Sequence, residues 1–334
     1  MRVVAALGGN ALMRRGEPLD LPTQRANARG AARALAAIAR DHELIVTHGN
    51  GPQVGLLALQ AAASDVVTPL DVLGAESDGM IGYVLAQELG NALPGREVVT
   101  VLTQVVVDPS DPAFGRPSKP IGATYRTREA ADAASAGEHW AIAADGRFWR
   151  RVVASPEPHA IIELEPIRRL ATGGVLVICA GGGGVPVVRT PDGSLAGVEA
   201  VVDKDLTAAL LAINLGADAL LLLTDVDAVH VDHGMATERP VGMATPDELR
   251  ALALPVGSMA PKAEAAARFV ATTGARAAIG RLEDAPALLA GRAGTTVRIS
   301  PPAPVQPPCS TRSSSASMAV KEAVTPSRSR RWRP

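Results

Sequence analysis

Three lysines stand where a cation could meet an anion. Lys204 lies between two acids in Val202-Asp203-Lys204-Asp205-Leu206, at the start of a helical pattern. A solvated charge run is the ordinary reading of such a string. Here apolar Ala200–Val202 and Leu206 flank it, which puts the charges at a strand–helix corner where Lys204 could hold a phosphate and an aspartate orient it. Lys262 follows Gly257-Ser258-Met259-Ala260-Pro261, with Ser258 as a candidate N-cap and Pro261 in the first turn. A cation near the anion-favouring end of a helix is out of place unless an anion joins it. Lys119 sits between prolines in Pro117-Ser118-Lys119-Pro120-Ile121-Gly122, on a stiff loop that also suits an ordinary surface lysine.

Glycine strings accompany them. Gly8-Gly9-Asn10 follows a first apolar run, and His48-Gly49-Asn50-Gly51-Pro52 follows a second. In open α/β sheets ligands gather at the carboxyl ends of strands, where glycines let main-chain amides approach closely. Asn50 can cap the helix that Pro52 begins, and such a terminus attracts anions. His48 invites a general-base reading, but a hydrogen-bonded structural histidine suits it better, since no partner is visible in the sequence. Gly181-Gly182-Gly183-Gly184 costs backbone entropy at each position, and close approach to phosphate is a reason to keep it; a hinge is the alternative. Thr224-Asp225-Val226-Asp227 also ends a strand, where its acids could meet a metal or a ribose or merely stop the strand. His230 and His233 with Asp232 lack a further ligand nearby and make a poor zinc site.

The elements that must position these residues follow from hydrophobic pattern. Val3–Leu7, Leu44–Thr47, Val98–Leu102, Val175–Ala180, Leu220–Thr224 and Ala277–Ile279 are short apolar runs that read as buried strands. Arg25–Arg40 and Lys204–Leu215 read as amphipathic helices, the second ending at Gly216. Alternating strands and helices imply a largely parallel sheet covered on both faces. From Asp108 to Ile167 the composition changes, and five of the eight aromatic residues lie there: Phe114, Tyr125, Trp140, Phe148 and Trp149. Asp145-Gly146 marks a tight hairpin between His139–Ala144 and Arg147–Val153. This stretch reads as a protruding subdomain, either a lid or a surface excursion with its own aromatic core.

Composition sets the limits. The chain has 334 residues, 47% hydrophobic and 20% charged, with net charge −1 and two cysteines. It is too apolar for disorder, lacks an apolar run of membrane-spanning length, and shows no secretory leader. Cys179 and Cys309 cannot build a disulfide framework, which fits a reducing cytoplasm. Residues 301–334 are rich in Pro, Ser and Arg and hold net +5, leaving −6 on residues 1–300. The body therefore offers no basic face for nucleic acid, and the tail reads as disordered.

Taken in order from Val3 to Pro301, the strings ALGGNAL, THGNGPQVG, PLDV–GMIGY, KPIG, GGGGVPV, VDKDL, TDVDAV and GSM-PK resemble the carbamate kinase family of the amino acid kinase superfamily. The resemblance implies a three-layer αβα sandwich around a mainly parallel open sheet, with a small protruding subdomain and a homodimeric assembly. It divides residues 1–300 into an acceptor-binding half, about 1–170, that includes the subdomain at about 108–167, and a nucleotide-binding half, about 171–300. It implies reversible phosphoryl transfer between ATP and carbamate, with Mg²⁺, giving ADP and carbamoyl phosphate, in the direction of ATP synthesis during arginine breakdown. Lys119, Lys204, Asp205 and Lys262 match the catalytic residues. Gly8, Gly9, Asn10, Gly49, Asn50 and Gly51 match the loops that bind carbamate and the transferred phosphate. Gly182, Gly183, Thr224, Asp225, Val226, Asp227, Val229, Met259 and Pro261 match the nucleotide pocket; no residue is assigned to a protein-held metal.

Three positions depart from the family pattern: Ala260 for Gly, His230 for an aromatic residue, and Asp78 for Gln. Two other readings are another phosphotransferase of the superfamily and a non-catalytic nucleotide-binding regulator. Retention of the three lysines and Asp205 argues against the regulator.

Overall fold

The computed structural model describes residues 1–13, 17–18, 20–62, 68–135, 140–254 and 259–299. Its centre is an eight-stranded sheet. The strands run in the spatial order Met243–Ala244, Thr295–Val297, Arg276–Arg281, Ala219–Thr224, Arg2–Leu7, Glu43–His48, Leu176–Cys179 and Val98–Val101. Every pairing is parallel except that of Arg276–Arg281 with Thr295–Val297. All six strands expected from apolar runs are present, with ends moved by one or two residues.

The period of two along these strands creates the layers. Val4, Ala6, Ile45, Val177, Leu220 and Leu222 face one core, shared with helices Lys204–Leu215 and Met259–Thr273. Val3, Ala5, Leu7, Leu44, Val46, Leu221 and Leu223 face the other, against helices Leu21–Ala39 and Leu70–Ala92. The result is the expected αβα sandwich. Each fully buried Leu or Ile contributes roughly 1.5–3 kcal/mol.

The helix ends follow local chemistry. Asp20 caps Leu21–Ala39 by accepting from Thr23 N at 2.8 Å, and Pro22 occupies the first turn. Lys204–Leu215 begins after Asp203 and stops at Gly216, whose φ of 64° is the left-handed conformation that closes a helix without a Cβ penalty.

The protruding arm is narrower than its composition suggests. Its three-stranded sheet pairs Lys119–Tyr125 with Phe148–Val153, and the latter with Ala141–Asp145. Pro158–Ile161 instead joins Gln104–Val107 in a separate four-stranded sheet, and Leu164–Thr172 is a helix. The hairpin turn is also displaced by one residue. Asp145 pairs with Phe148, so the two turn residues are Gly146 and Arg147, with Gly146 at φ 61°. Glycine at the first turn position suits a type II′ turn. The rings form no aromatic core. Arg128 stacks on Trp149, Arg147 on Phe148 and Arg151 on Trp140, at 5.3, 4.9 and 4.8 Å from the ring centres. The buried residues beneath are Ile121, Ala131, Val152 and Val153.

Ile121 and Val153 pack with Val54, Leu70 and Leu73 and so seat the arm on helices Gly51–Ala62 and Leu70–Ala92. There Gly55 and Gly122 touch main chain to main chain: a methyl on Gly55 would lie 3.0 Å from both Gly122 Cα and N. No described helix is long and apolar enough to cross a membrane. The basic tail, His139 and the Gly257-Ser258 start of the Lys262 string lie outside the described residues.

Candidate active site

Parallel register brings the glycine strings to one edge. Leu7 pairs with both His48 and Leu223, so Gly8-Gly9, Gly49-Asn50 and Thr224-Asp225 emerge side by side. The ladder continues one step beyond the strands: Gly8 N donates to Leu223 O at 2.8 Å and Gly49 N to Leu7 O at 2.9 Å. These two amides therefore fix the loops and are not available as phosphate donors. Gly9 and Asn10 continue into the short helix Gly9–Leu12, and Gly51 opens the helix Gly51–Ala62. A Cβ on Gly49 would stand 2.8 Å from Gly9 N and 3.5 Å from Lys204 Cε. Only glycine lets both loops and the lysine stem converge there.

Asp205 organises the cations. Its Oδ1 accepts from Lys204 Nζ at 2.5 Å and its Oδ2 from Lys262 Nζ at 3.1 Å. Burial alone would raise the Asp205 pKa, but the charges and hydrogen bonds of the two ammoniums outweigh it and hold the carboxyl down to about 2. Burial lowers the Lys204 pKa, with Lys262 adding to the effect and Asp205 opposing it. Helix Lys204–Leu215 supplies one lysine and the aspartate, and helix Met259–Thr273 the other, 57 residues away.

Lys119 arrives from the arm. Its Nζ donates to Asp203 Oδ2 at 2.6 Å, while Asp203 Oδ1 accepts from Asp205 N and Leu206 N. Three ammoniums and two carboxylates thus converge.

The four-glycine turn fits tightly against this centre. Beta-carbons on Gly181, Gly182 and Gly183 would fall 1.7 Å from Asp78 Oδ1, 2.2 Å from Asn50 Nδ2 and 2.4 Å from Val202 O. Ala180, Gly182, Gly183 and Gly184 all have positive φ. Gly183 N and Gly184 N donate to Ala180 O and Gly181 O, closing the turn on itself. The close approach is thus to neighbouring protein groups, a reason for glycine that the phosphate reading did not contain.

His48 is fully buried beneath the loops. Its Nδ1 lies 3.2 Å from Gly49 O, and its Nε2 lies 3.1 Å from Asp78 Oδ1, out of line for a hydrogen bond. It has the partner that the sequence did not reveal, and it is sealed from any substrate. Asn50 turns its amide to Ser77 Oγ at 2.9 Å, and Ser77 donates to Gly74 O. Asn50 is thereby tied to the neighbouring helix. Cys179 is buried, and burial together with the charges of Asp78 and Glu163 pushes its thiol pKa up, so it is no nucleophile.

Among the residues expected at the nucleotide, Thr224 ends its strand buried, with Oγ1 donating to Asp225 Oδ1 at 3.1 Å, and Asp225, Val226 and Asp227 are exposed. Met259 and Pro261 are half-buried at the start of the Lys262 helix. Val229 differs from expectation. Its side chain is fully buried in the main core and its N donates to Thr295 Oγ1, so it supports the loop from below. His230 Nε2 contacts Asp227 Oδ1 at 3.0 Å, and Glu238 Oε1 lies 3.0 Å from His230 Nδ1 and 2.9 Å from His233 Nδ1.

Among the described residues no group of three or more His, Cys, Asp or Glu side chains could hold a metal. Both carboxylates of the lysine cluster are engaged by ammoniums.

Asp203 and Ser77 were not assigned to the site from the sequence, and Asp78 was noted only as a departure from the family pattern. The signal for Asp203 was its place as the acid before a helix that starts with a lysine.

Fixed cations and glycine loops at the carboxyl edge of a parallel sheet define a phosphotransferase of the αβα kind. Residues 1–280 match the model of the Amino acid kinase family, and the chain belongs to that family. Carbamate kinases are among its relatives there. The chain is 51% identical to the carbamate kinase of Haemophilus influenzae over 89% of its own length and 96% of that protein. To the carbamate kinase of Pyrococcus furiosus it is 45% identical, over 89% and 98%. The structure of carbamate kinase from Giardia lamblia bound to AMP-PNP superimposes with a TM-score of 0.81 at 39% identity, over 89% of this chain and 98% of that one.

Proposed function

We propose that the chain transfers a phosphoryl group reversibly between ATP and carbamate, and that it works toward ATP from carbamoyl phosphate and ADP. The observation that carries this reading is the Asp205 bridge between Lys204 and Lys262. Carbamate is already an anion with a nucleophilic oxygen, so it needs no general base. The obstacle is repulsion between two anions, which positioned ammoniums relieve. In the ATP-forming direction an oxygen of the ADP β-phosphate bonds to phosphorus while the P–O bond to the carbamoyl oxygen breaks. Carbamate leaves with that electron pair. Lys204 and Lys262 neutralise the equatorial phosphoryl oxygens, Asp205 fixes both ammoniums, and Lys119 reaches the carbamoyl end from the arm.

Residues 1–170 would carry the acceptor and 171–300 the nucleotide, with adenosine over Thr224–Asp227, Met259 and Pro261. Mg²⁺ would travel with the nucleotide and lower its charge when bound. A homodimer in the cytoplasm completes the reading. Purified protein mixed with ADP, Mg²⁺ and carbamoyl phosphate should form ATP. Failure to do so, with ATP consumed on a different acceptor, would select another phosphotransferase; ATP binding without turnover would select a regulator.

A further inference from the structure

Asp203 performs two tasks with one carboxylate. Oδ1 accepts from Asp205 N at 2.9 Å and Leu206 N at 3.3 Å, which caps helix Lys204–Leu215. Oδ2 accepts from Lys119 Nζ at 2.6 Å, across 84 residues of chain. The first task does not require a charge: asparagine and serine cap helices about as well as aspartate. The second does, because only a carboxylate pairs with an ammonium as an ion.

The three ammoniums are held differently. Lys204 and Lys262 share Asp205 inside the body of the sandwich. Lys119 starts from the arm, and its side chain remains 33% exposed. A lysine stem has several rotatable bonds and no intrinsic direction. Asp203 supplies one: its Oδ2 draws the ammonium to the first turn of the helix that carries Lys204.

We propose that Asp203 is the positioning residue for Lys119. It holds the ammonium beside the phosphoryl site before substrate arrives, so rotamer freedom is lost in advance and not on binding. An incoming phosphoryl or carbamoyl oxygen then shares or takes over an ammonium already in place. Exchanging one oxyanion partner for another leaves the lysine paired throughout. The inference rests on the phosphoryl-transfer reading above.

Asp203→Asn tests it, since the amide oxygen keeps the cap while the charge is lost. The KM for carbamoyl phosphate should rise about tenfold, the scale of one charge-assisted contact, with the KM for ADP unchanged. In a Lys119→Ala background the same substitution should change neither, because its partner is gone. Asp203→Ser, which also caps, should repeat the pattern should the Asn variant fold poorly. A second readout needs no turnover. Acylation of the Lys119 amine, followed by peptide mass spectrometry, should be about fivefold faster in Asp203→Asn than in the unaltered protein, as expected when an ion-pair partner is withdrawn. An equal rate of labelling, an equal rise in both KM values, or an undiminished effect in the Lys119→Ala background would overturn the proposal. Absence of ATP formation by the unaltered protein would instead count against the functional reading, and the labelling result would still decide the pairing.

Discussion

His48 Nε2 lies 3.1 Å from Asp78 Oδ1, with both side chains at or below 1% exposure. The histidine ends a central strand and the aspartate sits in the middle of helix Leu70–Ala92. Removing the carboxylate leaves the buried His48 ring without its nearest polar neighbour, at a cost of about 1–3 kcal/mol. Asp78→Ala should therefore lower stability by that order in denaturant melts. A melt indistinguishable from that of the unaltered protein would show that the pairing contributes nothing.

Lys204→Ala and Lys262→Ala should each reduce kcat by about 10²–10³-fold, the usual effect of losing one oriented charge donor. Steady-state assays in the ATP-forming direction read this directly. Near-normal kcat in either variant would remove that lysine from the mechanism.

Lys119→Ala should weaken the response to carbamoyl phosphate by about tenfold and leave ADP saturation unchanged, because in the proposed reading the arm reaches only the carbamoyl end. Separate titrations of the two substrates distinguish this from a general loss of activity.

Asp205 has a folded pKa of about 2 against 3.8 for the free group. A carboxyl depressed by folding contributes stability that is complete above its unfolded pKa and disappears as pH falls through its folded value. The protein should thus lose an increment of stability between about pH 5 and pH 2. Asp205→Asn should be less stable at neutral pH and should lack that increment, as followed by melts across the acid range.

Gly182→Ala would place a methyl 2.2 Å from Asn50 Nδ2 at a backbone φ of 65°. Crowding and left-handed strain together should cost about 1–3 kcal/mol and displace Asn50. Thermal melts together with KM for carbamoyl phosphate measure both consequences.

Six of the eight sheet strands were readable because they are short apolar runs, the two short strands Met243–Ala244 and Thr295–Val297 were not, and Lys204–Leu215 was readable because a capping acid and Gly216 bracket it. The lysines were readable through the strings around them, and so was Asp205, the acid that Lys204 and Lys262 share. The partner of Lys119 was not. A helix-capping aspartate and one that also holds a distant lysine look identical in sequence, so Asp203 gave half of its role. Asp78 lies inside a long helix whose buried face is not cleanly apolar, and period alone does not mark a buried acid there. The glycine turn was noticed for the right reason, close approach, but the approaching groups are Asn50, Asp78 and Val202. Val229 was assigned to the nucleotide pocket through the family resemblance alone, whereas its side chain lies in the main core.

The contact between Gly55 and Gly122 has a consequence for reach. Lys119 and Gly122 share one strand, so the height at which the two bare main chains meet sets how far the ammonium descends. At that contact nothing bulkier than hydrogen separates arm from helix. Variation at either glycine would thus act as a spacer under the arm, changing the clearance above the phosphoryl site without altering a single charged group.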